Sequence, residues 1–243
     1  MGSNAKASGS FSLSTGYNTQ ASGEGTIALG DKATGSEKFA LAIGRLTKAS
    51  GEASTAIGNN SQALSIGSVA IGLSALANGG GNAHAVAIGN GAQAGTSTQG
   101  YGETVAIGGG SSAQNYYATA LGSSAYASGS GSTAIGYTSK ASDSNVVSFG
   151  HSKTDTDGSG TAYGSDLNRR LIHVADGTTA TDAATVSQTA TVSSANGSVK
   201  ITKSTNTNGS TNYGLSIDKV TVNTDGKIES GNTGILSGGT AYT

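Results

Sequence analysis

Ala49-Ser50-Gly51-Glu52-Ala53-Ser54-Thr55-Ala56-Ile57-Gly58 is followed, fourteen residues further on, by a variant of itself that ends Ser68-Val69-Ala70-Ile71-Gly72. The closing glycine recurs at Gly30, Gly44, Gly58, Gly72, Gly89, Gly108, Gly122, Gly136 and Gly150, at spacings of 14, 14, 14, 17, 19, 14, 14 and 14. The residue before it is always large and apolar: Leu29, Ile43, Ile57, Ile71, Ile88, Ile107, Leu121, Ile135 and Phe149. Two before it stands Ala, except at Ser148; three before it stands Val, Ile, Leu or Thr, with Val69 typical. Side chains alternate faces along a strand, so one face carries the branched pair and the other carries alanine. Neither face is charged, and the strand is expected to be buried on both. A glycine in fixed phase closes it because the turn needs positive φ or close backbone approach.

A second strand follows in each repeat. Five after the glycine lies Ala49, Ala63, Ala77, Ala94, Ala113, Ala127 or Ala141, with Gly35 the exception. Three after it lies a small residue such as Thr47, Ser61 or Ala75, and between the two stand residues such as Lys48, Gln62, Leu76, Tyr126 and Lys140. Small-in and mostly polar-out alternation is the pattern of a strand with one wet face. Two strands and two turns per fourteen residues make a thin β-solenoid. Two or three branched side chains per coil are too few to offset the ordering of fourteen residues, and the apolar outer face needs a cover. The core side chains Ile43, Ile57, Val69, Ile71, Ile88, Ile107 and Ile135 are therefore expected to meet their copies in a homo-oligomer.

Composition fits. The 243 residues include 40 Gly, 35 Ala, 37 Ser and 30 Thr, and no Pro, Trp or Cys. A chain without proline suits hydrogen-bonded ladders, because proline has no N–H to give. The formal net charge is −1, with no basic stripe, so nucleic acid is not an expected partner. No apolar run approaches 18 residues, so no membrane span is expected in this segment, nor is a secretory leader expected at its start.

These coils resemble the heads of the trimeric autotransporter adhesins, the YadA-like heads, over about residues 5–150. The resemblance implies an all-β, left-handed parallel β-roll in a homotrimer, displayed as the passenger head of a bacterial surface protein that attaches to host cells or extracellular matrix. It implies an outer-membrane anchor through a C-terminal barrel outside this sequence. On this resemblance residues 1–150 are expected to form the roll. Residues 151–192 hold a loop and a segment that resembles the family's neck, with Arg170, Val174, Asp176, Asp182 and Gln188 in it. There Ala184 and Thr189 stand where Val and Leu are more usual. Residues 193–243 resemble an interleaved β-prism-like second head module, with Asn208-Gly209 and Asp225-Gly226 as turns.

No catalytic constellation is found. The nucleophile-elbow and phosphate-loop motifs are missing, and Asp155-Thr156-Asp157-Gly158 lacks the distal carboxylate of a calcium loop. His84, His151 and His173 are scattered, so no metal, cofactor or enzymatic activity is expected. The alternatives are a non-binding spacer of a surface fibre and an ice-binding solenoid. The second would need threonine columns in phase, and a thermal-hysteresis assay would detect it; a solenoid lyase would need a charged cluster that no column supplies. Both spacings above 14 lengthen the same turn, at Asn78 to Ala85 and Gly95 to Thr104, and the next coil carries Tyr116 and Tyr117 there. Successive coils lie about 4.8 Å apart, so His84, Tyr101, Glu103, Tyr116 and Tyr117 are expected to form one ligand patch.

Overall fold

The structure, a computed structural model, describes residues 2–80, 84–95, 102–179, 181–184, 199–205 and 211–217. No described residue is helical. The chain divides into two compact units, Met1–Arg170 and Leu171–Thr243.

The first unit winds through two parallel sheets of ten strands each. A narrow sheet holds two-residue strands from Lys6–Ala7 to Lys140–Ala141, and a wide sheet holds strands of three or four residues from Leu13–Thr15 to Thr133–Ile135 and ends in the two-residue Val147–Ser148. Each coil crosses each sheet once in the same direction, which makes every neighbouring pair parallel. Register never slips: Val69, Ala70 and Ile71 pair with Thr55, Ala56 and Ile57 on one side and with Val86, Ala87 and Ile88 on the other. The three residues added between Gly72 and Gly89 are absorbed by a turn. A coil not marked in the glycine count comes first, closing at Gly16, with Ser14 in the alanine column; its hydroxyl donates to Thr19 Oγ1 at 2.8 Å.

Alanine separates the two sheets. Ala56, Ala70, Ala87 and Ala106 from the wide sheet and Ala63, Ala77, Ala94 and Ala113 from the narrow one are wholly buried, and among the described residues no fully buried side chain is larger than threonine. Two residues before the buried alanine of the wide strand, the corner is filled by a buried alanine (Ala40, Ala85, Ala118) or by an inward hydroxyl, which the sequence reading passed over. Ser54 donates to Gly51 O at 2.6 Å, Ser68 to Ser65 O at 2.6 Å and Ser132 to Gly129 O at 2.7 Å. Buried hydroxyls so placed leave the turn carbonyls satisfied.

The glycine that closes each wide strand is fixed by its neighbour. Gly72 has φ of 131°, and a Cβ there would lie 2.5 Å from Gly89 O, well inside contact distance. The branched side chains of the wide sheet point away from the alanines. Ile43, Ile57, Val69, Ile71, Ile88, Ile107 and Ile135 are half-buried, and Leu13, Leu121 and Val147 are exposed. In one chain, then, this strand is buried on its alanine face and half-open on the other.

Residues 151–170 fold back on the last coils. His151 pairs with Leu167 and Thr156 with Ala162 in antiparallel bridges, and the His151 and Tyr163 rings stack with centroids 3.7 Å apart. Lys140, expected to be an outward bystander, is half-buried instead: its Nζ donates to Thr156 O and lies 4.8 Å above the Tyr126 ring. Arg169 occupies the end of the glycine corner, donating to Ser139 Oγ at 2.8 Å, to Tyr137 O at 2.7 Å and to Phe149 O.

In the second unit, Leu171, Ile172 and Val174 are exposed and belong to no strand. Arg170 ends the first unit and is exposed, as are Val174 and Asp176; Gln188 lies outside the described residues. Asp182 closes a turn, accepting the N–H groups of Thr178 at 2.8 Å and Thr179 at 2.9 Å. Those donors hold its carboxyl at about 2, below the ordinary 3.8. A depressed value stabilises the turn above the unfolded group's pKa and loses that contribution as pH falls through about 2. NMR titration should therefore find the Thr178 and Thr179 amides unchanged from neutral pH to below 3.8, and Asp182→Asn should abolish any acid transition they show. Further on, Val199–Thr205 and Thr211–Ile217 pair as an antiparallel hairpin with Ile201 opposite Leu215. Its Asn208-Gly209 turn, and the β-prism-like stretch from 218 onward, lie outside the described residues.

Candidate functional site

The enlarged turn is one corner of the solenoid, the corner that leads into the wide strand. In regular coils it is a four-residue turn, 37–40 or 51–54, whose third residue has left-handed φ, 56° at Phe39 and 52° at Ala53. At Gly67 (φ 61°) the residue has no side chain, and the space is occupied by His84 from the next coil; a Cβ on Gly67 would lie 2.6 Å from His84 Cδ2. The same device recurs where the Phe39 ring covers Gly25 and Asn145 covers Gly131.

Above His84 comes Glu103. His84 Nδ1 lies 3.8 Å from Glu103 Oε1, with both side chains more than half exposed, and Thr104 N donates to His84 O at 3.3 Å. Gly102 follows against the next coil: a Cβ there would meet Tyr116 Cδ1 at 3.4 Å and Tyr117 Cε1 at 3.5 Å. The two tyrosine rings are tilted by 43° with centroids 6.4 Å apart. Asn115 fixes their turn, accepting Tyr116 N–H at 2.9 Å through Oδ1 and donating to Ser128 O at 3.1 Å. Thus His84 and Glu103 meet, Tyr116 and Tyr117 meet, and Gly102 joins the two pairs; Tyr101 lies outside the described residues.

The pair His84–Glu103 is exposed and worth at most about 1 kcal/mol, so it shapes the surface more than it stabilises the fold. The two wide strands that follow the long loops, Ala85–Ile88 and Thr104–Ile107, are each one residue longer than their regular neighbours. That added pairing anchors the loop bases. The sequence reading missed two further side chains on this corner, Phe11 and Phe39, which are 92% and 60% exposed. They sit 28 residues apart, in phase with the repeat, and the period that located the tyrosines would have located them too.

No group of three or more His, Cys, Asp or Glu side chains among the described residues could hold a metal ion. What the corner offers is tyrosine rings, an imidazole and a carboxylate on a rigid stack. Side chains of these types are enriched at recognition surfaces.

The comparisons agree. The YadA head domain repeat (2 copies) matches residues 1–19, 7–33, 21–47, 36–61, 49–75, 103–125 and 127–152, together half of the chain. The crystal structure of the collagen-binding domain of the Yersinia adhesin YadA is 33% identical, with a TM-score of 0.55, over 70% of this chain and 83% of that one. No curated protein sequence matches. The chain belongs to the YadA head family, whose fold is that of adhesin binding domains and not of enzymes. Between 75 and 103 no repeat is matched, a stretch that holds the first enlarged loop and most of the second.

Proposed function

We propose that the chain is the head of a homotrimeric adhesin on a bacterial surface, attaching by multivalent contact to fibrous extracellular matrix proteins of the collagen type. The observation that carries this reading is the corner at His84, Glu103, Tyr116 and Tyr117, an exposed aromatic and polar cluster held on a fold shared with a collagen-binding head. A threefold assembly would present it three times. A fibrous ligand engaging several copies gains avidity of about 10²–10⁴ over one contact. The exposed Leu171, Ile172 and Val174 support a neck in which each chain is covered by its neighbours.

The experiment is deletion. Trimming both enlarged loops to the fourteen-residue spacing should leave the melting temperature and the oligomer mass unchanged, because the wide-sheet register does not depend on them. Binding to immobilised collagen, fibronectin or laminin should fall at least tenfold. Unchanged binding would remove the corner from the adhesive surface. If the untrimmed protein binds no matrix component or cell, the chain acts as a spacer.

A further inference from the structure

A further groove lies on the outer face of the narrow sheet, lined by none of the four side chains of that corner. The outward column there reads Gln93, Ser112, Tyr126 and Lys140 in consecutive coils. Ser112 is the smallest, so it leaves a notch between Gln93 and Tyr126. The adjoining turn is bare as well, with Gly91 and Gly110 at its left-handed positions. Across the notch stands the folded-back hairpin. Its tip is set by Asp157, whose Oδ1 accepts Ser159 N at 2.8 Å, Ser159 Oγ at 2.6 Å and Thr161 N at 2.9 Å. Gly158 at the tip lies against the Tyr126 ring. The result is a groove of about 480 Å³ walled by Tyr126, Tyr137, Tyr163 and the hairpin tip.

We propose that this groove binds a neutral oligosaccharide. Its volume lies within the range of about 300–1,000 Å³ that accommodates small ligands. No lysine, arginine or histidine lines it, so an anionic ligand has no counter-charge. Asp157 is its one carboxylate and is already committed to the turn, so a cation gains little. No Val, Leu, Ile or Phe lines it, which disfavours an apolar ligand. It runs over the face of a sheet, away from any free strand edge, so an added peptide strand finds no backbone partners. What remains is three tyrosine rings beside primary amides and hydroxyls. Flat rings match the C–H faces of pyranoses, and an amide both donates and accepts, as adjacent sugar hydroxyls require.

The polar groups are already oriented. Tyr126 OH donates to Gln114 Oε1 at 2.9 Å and Gln114 Nε2 donates to Ser112 Oγ at 2.9 Å, which fixes the amide in one rotamer. Gln93 is exposed; its backbone N–H donates to Ser111 O at 2.8 Å, while its side-chain amide hydrogen-bonds to none of the described residues and so can meet a ligand. The Tyr163 hydroxyl is buried at the groove wall with no hydrogen-bond partner, a donor that a small ring movement would bring to a sugar oxygen.

The proposal rests on the attachment reading, but its site is separate from the tyrosine corner, and the two are tested apart. The full chain is applied to an array of neutral oligosaccharides built from hexose and N-acetylhexosamine units, and hits are titrated by NMR. At least one should bind. Ser112→Tyr, which fills the notch with a residue the same column accepts at Tyr126, should weaken it at least tenfold; the loop-trimmed protein should keep it while losing matrix binding. Gln93→Ala with Gln114→Ala gives a second, milder variant, expected to weaken binding by at least fivefold, should Ser112→Tyr fail to fold. An array with no neutral hit, or equal binding by these variants, overturns the groove and leaves the matrix result standing on its own.

Discussion

Replacing Gly89 by alanine should abolish folding of the solenoid at physiological temperature, while Gly91→Asn, two residues away in the same turn, should change the melting temperature by only a degree or two. Gly89 has φ of 137°, and a Cβ there would lie 2.5 Å from Gly108 O and 2.6 Å from Gly108 C. That backbone region is close to glycine-only and costs a larger residue about 1–3 kcal/mol before any clash is counted. The clash is with main chain, which cannot rotate away. Relief would require neighbouring coils to separate, and separation breaks the ladders on both sheets. Gly91 has φ of 65°, with nothing within 4 Å of a built Cβ, and Asn60 already occupies the equivalent place at φ 58°. Asparagine tolerates that left-handed region better than most residues. Thermal unfolding followed by circular dichroism separates the two variants. Equal melting would mean that the glycine column reflects composition and not a stacking constraint.

That contrast shows why the repeat was legible in the sequence. Gly72, Ala70 and Ile71 recur in phase because every coil meets the same coil above and below, so each position faces one environment many times over. Periodicity multiplies a weak signal. The place of the lengthened turn was legible for the complementary reason: spacings of 17 and 19 in an otherwise constant series mark where residues were added, and Val69, Val86 and Val105 stay in register across them. The folded-back hairpin had no such help. Lys140 looks like any other outward lysine of its column, and only its contact with Thr156 O and Tyr126 distinguishes it. Arg169 resolves the last glycine corner through three acceptors scattered from Tyr137 to Phe149, a meeting that no spacing rule encodes. The hydroxyl column at Ser54, Ser68 and Ser132 was present in phase, but small polar residues before a strand read as turn, and their burial depends on how thin the coil is.

The other large effect comes from the two faces of one strand. Ala70 and Ile71 are adjacent, yet Ala70→Asp and Ile71→Asp should fail differently. Ala70 is wholly buried between two sheets that no large side chain separates. An aspartate there has neither room nor partner, and a buried unpaired charge costs several kcal/mol, comparable with the whole stability of a domain. That variant should not fold. Ile71 points out of the coil and is half-buried within one chain, so an aspartate there meets water and each coil keeps its ladder. In the proposed trimer the same face is closed against two neighbours, and the charge would enter the interface three times. Light scattering should give about 70 kDa for the parent, three times 23.4 kDa, and a species of one chain's mass for Ile71→Asp, with Ile107→Asp behaving alike. Gln62→Asp, on the wet face of the narrow sheet, should leave the mass at three chains. A trimeric Ile71→Asp would place the assembly face elsewhere.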